Sequence, residues 1–173
     1  MWDDPKAVIA LAAFVIASLS LYLTMYNWRR SNRPVVVAFV AEHAFGSHAA
    51  TFNLVVANVG NRPALRVRLN IDKNKAKGIF HSEATEDRID SVLNIFRPES
   101  EIPLLRNGEE LTTSFGAMNE TNQGEGWLRY GAQIAIAITY DDLDGRAYSE
   151  RLTLKVYSRH GFGGSIWEVS KST

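Results

Sequence analysis

An acidic run at residues 141–145, with the sequence DDLDG, is the strongest candidate for metal chemistry in this chain. Carboxylate oxygens are the ligands that Ca²⁺ prefers, and an EF-hand loop has glycine at its sixth position and glutamate at its twelfth. With Gly145 as the sixth residue, the first residue is Tyr140 and the twelfth is Arg151, and neither supplies the required carboxylate. We therefore predict an acidic turn between two strands and no metal site.

The histidines offer a second kind of chemistry, because imidazole is both a metal ligand and a general base. They are His43, His48, His81 and His160. No two of them have the i, i+4 spacing of a helical metal site, and the chain has no cysteine to complete a ligand set. A nucleophile elbow, a phosphate-binding loop and a dinucleotide fingerprint are also missing. The sequence predicts a non-enzymatic protein without cofactor or metal.

The C-terminal tail, residues 158–173, begins with a glycine-rich run at 161–164 that precedes no clear helix. We predict a hinge at this run. The apolar residues that follow it are Ile166, Trp167 and Val169. Such a segment is unusual for a free tail, so it either folds back on the domain or contacts a partner, and the sequence leaves both alternatives open.

An uncharged apolar stretch at residues 7–26 positions everything that follows it. A helix rises about 1.5 Å per residue, so this stretch spans roughly the 30 Å hydrocarbon core of a bilayer. We predict one transmembrane helix over residues 7–28, with Trp28 in the interfacial region. A cleaved signal peptide is the alternative. It is disfavoured because the first residues are acidic and the apolar core exceeds roughly 7–15 residues.

Basic residues follow the predicted helix in the neck at 29–34, namely Arg29, Arg30 and Arg33, whereas the N-terminal segment 1–6 contains only Lys6. Because cationic flanks stay in the cytoplasm, we predict an extracytoplasmic N-terminus and a cytoplasmic domain. An anchor in the opposite orientation is the alternative. Four of the 19 basic and two of the 19 acidic residues precede position 34, so the domain is slightly acidic and a nucleic-acid partner is not expected.

Small residues recur along one side of the predicted helix, within about 80° of one another. They are Ala10, Ala13, Ala17, Ser20 and Thr24. Such a stripe lets a second helix approach closely, so we predict a helix–helix contact with another membrane protein subunit. The alternative is that these residues are simply common in membrane helices. No GxxxG motif is present, so self-association is no better supported than a different partner.

Seven short segments rich in β-branched, aromatic or alternating apolar residues predict an antiparallel β-sandwich over residues 35–157. They are 35–40, 51–57, 64–71, 102–105, 110–117, 133–140 and 148–157. In the third segment, Leu65, Val67, Leu69 and Ile71 are predicted to face the core. The dipeptide Asn107-Gly108 predicts a β-hairpin between the fourth and fifth segments.

A helical insert is predicted at about 83–96, where apolar residues fall at i, i+3, i+4 and i+7. These residues are Ile89, Val92, Leu93 and Phe96. Thr85 is the candidate N-cap. We expect the insert to cover one edge or end of the sandwich, and the small side chains Ala135 and Ala137 mark a surface for it. A partner-facing insert is the alternative.

The run LVVANVGNRPALRVRLNI at 54–71 resembles the N-x-G-N-x-P-A turn of bacterial immunoglobulin-like sandwich domains. Its position behind an anchor and a basic neck ending in RPVVV is similar to small bacterial single-pass membrane proteins of unassigned function. The resemblance implies an immunoglobulin-like fold and a location in the bacterial inner membrane. It implies no functional residues.

Together, these features predict a single-pass accessory or scaffolding subunit that packs its helix and its immunoglobulin-like domain against a larger membrane protein complex. The expected partners are the lipid bilayer and other membrane protein subunits; a respiratory, photosynthetic or secretory complex is equally compatible. The alternative is a membrane-tethered sensor or ligand-binding module, with the turn at 42–50 and the loop at 118–127 as the rim of its site.

Overall fold

The computed structural model describes residues 5–45, 49–82, 84–119, 127–129 and 131–157. Within these residues, a long N-terminal helix is followed by seven antiparallel strands in two sheets and a short helical insert. The chain is mainly β, as the sequence predicts. Every strand pairing in both sheets is antiparallel.

Helix α1 extends over Pro5–Ser31, and none of its residues is buried. It continues three residues into the segment predicted as a neck, so Arg29 and Arg30 form its last turn. Cations at this position interact favourably with the unpaired carbonyl groups at a helix C-terminus. Only Asn32 and Arg33 separate α1 from Pro34, which cannot continue a helix.

The strands are β1 (Val36–Phe45), β2 (Ala49–Asn58), β3 (Ala64–Ile71), β4 (Ile102–Leu105), β5 (Glu110–Asn119), β6 (Gln133–Asp141) and β7 (Ala147–Lys155). The first sheet has the order β1-β2-β5 and the second the order β4-β3-β6-β7. Constant-type immunoglobulin domains also have one sheet of three and one of four strands, but there the fourth strand lies with the first, second and fifth. Here β4 lies with β3, β6 and β7.

The core lies between the inner faces of the two sheets. The alternating residues of β2 and β6 are buried in it: Phe52, Leu54, Val56, Ile134, Ile136 and Ile138. Strand β3 departs from strict alternation because its pairing with β6 shifts register between Leu65 and Arg68. Arg66 has a φ of 51° at this irregularity, and Ala64 becomes fully buried while Leu65 is only half-buried. Such a bulge re-aims the residues before it.

The predicted hairpin at Asn107-Gly108 is wrong. The dipeptide does form a turn, with Gly108 at a φ of 74°, but β4 pairs with β3 whereas β5 pairs with β2 in the other sheet. The turn therefore carries the chain from one sheet to the other. β5 buries Phe115 in the core from the first sheet.

The insert between β3 and β4 contains α2 (Lys73–Ala76), α3 (Glu86–Leu93) and 3₁₀ turns at Lys77–Ile79, Asn94–Phe96 and Pro98–Ser100. Thr85 precedes α3, but its side chain makes no capping hydrogen bond. Val92 and Phe96 are buried in the core, and the insert contacts β3 and β5.

The expectation that the insert covers the alanines of β6 is wrong, because Ala135 is exposed. β4 and β5 are edge strands of different sheets, so the core is open on that side, and the insert packs its apolar side there.

Candidate functional site

The junction between α1 and the sandwich is held by one buried asparagine. Asn58 is 1% exposed, and its Oδ1 accepts hydrogen bonds from the backbone N–H groups of Val35 (3.3 Å) and Gly60 (3.0 Å). Its Nδ2 donates to the carbonyl oxygens of Arg62 (2.7 Å) and Leu105 (3.1 Å). All of the side chain's polar groups are thus bonded, as a buried amide requires. Asn58 connects the neck, the β2–β3 turn and the end of β4.

The turn between β2 and β3 lies along the neck. The backbone N–H of Val59 donates to Val35 O (2.9 Å), and that of Asn61 donates to Arg33 O (3.3 Å). The Asn61 side chain reaches the last residue of α1, where its Nδ2 donates to Ser31 O (3.3 Å). The turn is therefore bonded to the helix end as well as to the start of the sandwich.

Gly60 permits this close approach. A Cβ atom at this position would collide with the backbone atoms of Val35, Arg33 and Pro34. Glycine has no Cβ, so it lets two backbone segments approach closely where any other residue would separate them. The run N-x-G-N therefore packs the β2–β3 turn against the neck.

The second sheet also contributes to the junction. Tyr140 is 2% exposed, stacks on Tyr148 with ring centroids 5.4 Å apart, and donates its hydroxyl to Pro34 O (3.3 Å). Burial raises the pKa of the Tyr140 phenol, because the phenolate would be poorly solvated there. At the surface, Arg33 forms an ion pair with Glu150 at 3.7 Å.

The acidic run at 141–145 forms the turn between β6 and β7. Asp142 is 2% exposed, and its Oδ1 accepts hydrogen bonds from the backbone N–H groups of Asp144 (2.8 Å) and Arg146 (2.9 Å). Its Oδ2 accepts one from the Tyr148 hydroxyl (3.0 Å). Arg62 pairs with Asp144 at 2.6 Å and lowers the pKa of that carboxyl. These carboxylates stabilise a turn, and the described residues contain no group of three or more potential metal ligands.

The histidines and the apolar tail residues form no common site within the described residues. His43 is exposed near the end of β1 and His81 lies in the insert, while His48 and His160 are outside the described residues. The tail residues Ile166, Trp167 and Val169 are also outside the described residues.

The stripe of small residues lies on α1, which is exposed along its whole length. All five stripe residues belong to α1, in which no residue is buried. The Thr24 hydroxyl donates to Ser20 O at 2.8 Å, so its proton is used within the helix and its oxygen is available to accept. In the described part of the chain, α1 is the one helix long and apolar enough to cross a membrane, with a mean hydropathy of 2.3.

A cleft of about 380 Å³ lies on the side of the sandwich covered by the insert. Its apolar lining is Val56, Leu69, Ile95, Ile102 and Leu111, and polar groups at its mouth include Ser91, Asn94 and Thr113. The cleft is on the β4–β5 side and not at the predicted rim, where residues 46–48 and 120–126 lie outside the described residues.

Sequence reasoning missed Asn58, Gly60 and Tyr140 as the residues that join the anchor to the domain. The signal was present in the N-x-G-N run, where a polar residue ends a strand of buried apolar side chains. Its partners are far away in the sequence: Val35 is 23 residues before Asn58 and Leu105 is 47 after it.

The fold and its junction define a class of protein: a β-sandwich joined closely to one N-terminal candidate membrane helix. The chain belongs to the family described as "Domain of unknown function (DUF8453)", which it matches over residues 5–158. The matched segment therefore includes α1, the neck and all seven strands. No curated protein matches the chain.

Proposed function

We propose that this protein is a non-enzymatic accessory subunit that packs α1 and its sandwich against a larger membrane protein assembly. The observation that carries the proposal is the bonded junction. A receptor domain on a tether needs only a loose linker, whereas a scaffolding subunit benefits when its membrane helix and its soluble domain keep one relative orientation. The hydrogen bonds of Asn58, Asn61 and Tyr140 to the neck supply such a constraint.

The partner contact that we propose within the membrane is the stripe of small residues on α1. Close approach of two backbones allows extensive van der Waals packing, which drives helix association in lipid. The Thr24 oxygen is available to accept a hydrogen bond from the partner helix. The opposite side of α1 carries larger residues such as Leu19 and Tyr22, which suit contact with lipid.

The proposed location is the bacterial inner membrane, with the N-terminus outside and the sandwich in the cytoplasm. The orientation follows from Arg29, Arg30 and Arg33 after the helix against Lys6 before it. A reporter fused to the C-terminus should therefore be active only in the cytoplasm. Periplasmic activity of the reporter would contradict the orientation and favour an outer-face subunit.

Replacing Ala17 with Leu tests the proposed helix contact. The larger side chain would separate the two helices at a cost of about 1–3 kcal/mol, which weakens association roughly ten- to a hundredfold. Leu inserts into lipid at least as well as Ala, so the variant should stay in the membrane. The measurement is the native size of the complex after mild detergent extraction, with the co-purifying subunits identified for the wild type.

The matched control is Leu19→Ala, which changes the opposite side of the helix and should leave the complex nearly unchanged. Equal loss or equal retention of the complex in both variants would reject the stripe as the contact.

A membrane-tethered ligand-binding module is the second candidate, and the cleft beside the insert favours it. Its volume and apolar lining suit a small hydrophobic ligand. Ser91→Trp would fill the mouth of the cleft. We expect this variant to lose binding of an apolar fluorescent probe that the wild type binds, whereas Asp90→Trp on the same helix should retain it.

A further inference from the structure

The end of the sandwich next to α1 has more basic than acidic residues. We define this helix-proximal end as the helix terminus and neck at 29–35 together with the turns at 59–63, 106–109 and 142–146. Its basic residues are Arg29, Arg30, Arg33, Arg62, Arg106 and Arg146, and its acidic residues are Glu109, Asp142 and Asp144. The whole chain is neutral, so the rest of the molecule has three more acids than bases.

Several of these arginines are available for an external anion. Arg62 is paired with Asp144, and Arg33 with Glu150. Asp142 is buried and fully used by its own turn. Four other arginines are exposed and form no ion pair with the described residues: Arg29, Arg30, Arg106 and Arg146. Of these, Arg146 also interacts with the Tyr148 hydroxyl, and Arg29 and Arg146 help to lower the pKa of the Asp144 carboxyl.

Two apolar side chains extend from the same end. Val59, in the β2–β3 turn, is 65% exposed, and Leu143, in the β6–β7 turn, is 55% exposed. The ion pair between Arg62 and Asp144 connects these two turns. The helix-proximal end thus combines exposed apolar tips with unpaired arginines.

The hydrogen bonds between the β2–β3 turn and the end of α1 determine how far this end lies from the bilayer. If residues 7–26 fill the hydrocarbon core, Ser31 lies about 7 Å beyond it along the helix axis, which is close to the thickness of one headgroup layer. Asn61 bonds to Ser31 O and to Arg33 O, so the β2–β3 turn is at the same level. A tilt of the helix would bring the turn closer to the lipid.

We propose that the helix-proximal end rests on the membrane that α1 spans, with Val59 and Leu143 in the interfacial region and the unpaired arginines against anionic lipid headgroups. Amphipathic surfaces bind membranes through buried apolar area together with attraction of basic residues to anionic lipid. This contact rests on the proposed membrane anchoring by α1 and is independent of any partner subunit. It would hold the sandwich upright on the bilayer.

The test uses the full chain reconstituted in lipid nanodiscs without a partner. The protein contains no cysteine, so a single cysteine can carry an environment-sensitive fluorophore at Val59, at Leu143 or at the control position Tyr157. Tyr157 is also partly exposed but follows β7 at the opposite end of the sandwich. Quenching by a spin label attached to the lipid headgroup is measured in zwitterionic discs and in discs that contain phosphatidylglycerol.

We expect stronger quenching and a blue shift at positions 59 and 143 than at position 157, with a further increase in anionic discs. Each arginine near an anionic surface favours attachment by about fivefold, so Arg106→Gln with Arg146→Gln should lower the ratio of docked to undocked domain by about 25-fold. Arg129→Gln with Arg151→Gln is the charge-matched control outside this end.

Equal quenching at all three positions would overturn the proposal. Quenching at 59 and 143 that changes neither with anionic lipid nor with the arginine substitutions would overturn it as well. Unlabelled protein provides a second readout. Hydroxyl-radical footprinting of Val59 and Leu143 should show protection in anionic discs and none in detergent. Retention of the protein in the discs shows separately whether α1 anchors it in the membrane. The Ala17→Leu experiment shows whether α1 contacts a partner helix.

Discussion

At the scale of single residues, the side chain of Asn58 connects the segment after α1 to the sandwich. Asn58 is buried at the end of a strand that otherwise buries apolar residues, and its amide bonds to three separate segments. Its backbone participates as well: Asn58 N donates to Glu109 O (3.0 Å) and its carbonyl accepts from Gly108 N (2.8 Å). The turn from β4 to β5 is therefore connected to the same residue that holds the neck.

Substituting Asn58 with Ala should remove these side-chain bonds, which involve one buried and three partly buried backbone groups. An unsatisfied buried polar group costs about 1–3 kcal/mol, and relaxation with water entry recovers part of the sum, so we expect a loss of about 3 kcal/mol in the free energy of unfolding. Chemical denaturation of the detergent-solubilised protein measures it.

The control for this substitution is Asn70→Ala. Asn70 is exposed and its side chain donates to the Thr139 hydroxyl at 3.3 Å, so the loss of this side chain should change the free energy of unfolding by less than about 0.5 kcal/mol. Similar losses for both variants would contradict the special role of Asn58.

At the scale of elements, the β2–β3 turn acts as a clamp on the neck, because its backbone contacts the segment between α1 and β1 on one side. Gly60 lies at the point of closest approach. The pairing of Arg62 with Asp144 extends the connection to the β6–β7 turn of the second sheet.

Gly60→Ala should force the neck away from the turn, since the added methyl group meets backbone atoms that cannot rotate aside. We expect a destabilisation of about 1–3 kcal/mol, typical of overpacking, together with faster hydrogen exchange at the amides of Val59 and Asn61. Gly78→Ala is the matched control, because a Cβ at Gly78 has open space around it. If both variants behave alike, the turn does not clamp the neck.

The elements of this fold were predictable to different degrees, according to how local their causes are. The alternation that defines β6 is contained within the strand, so its buried face agrees with the sequence prediction. In β3 the bounds agree, but of the four predicted core residues only Val67 and Leu69 are buried, because the bulge after Leu65 shifts the pattern. Asn107-Gly108 also predicted a turn correctly. Whether the strands on either side of it pair is decided by which distant strand buries each apolar face, and this information is not local.

The same distinction applies to the candidate sites. The acidic run at 141–145 was predicted to be a turn because its spacing cannot complete a calcium loop, and the structure assigns its carboxylates to backbone N–H groups, Tyr148 and Arg62. The role of Asn58 needs three segments that meet only in the folded chain. The helix–helix contact at the stripe on α1 stays a prediction, because it concerns a second helix that this chain does not contain.

At the scale of the whole molecule, an exposed apolar helix and a β-sandwich are connected through a short neck. The neck is hydrogen-bonded to the β2–β3 turn and to Tyr140 of β6. Three side chains bond to the segment at 31–35: the Asn58 amide, the Asn61 amide and the Tyr140 hydroxyl. The proposed accessory role depends on this connection, because the helix and the sandwich can contact one partner together only when they keep a fixed relative orientation.

The most direct measurement is the distance distribution between one spin label on α1 at Leu19 and another on the far side of the sandwich at Lys75, in the cysteine-free background. Pulsed electron–electron double resonance in lipid nanodiscs should give a single narrow distribution, and Asn58→Ala should broaden it markedly. A broad or multimodal distribution with the native neck would show that the sandwich moves freely about its anchor, and would contradict the account.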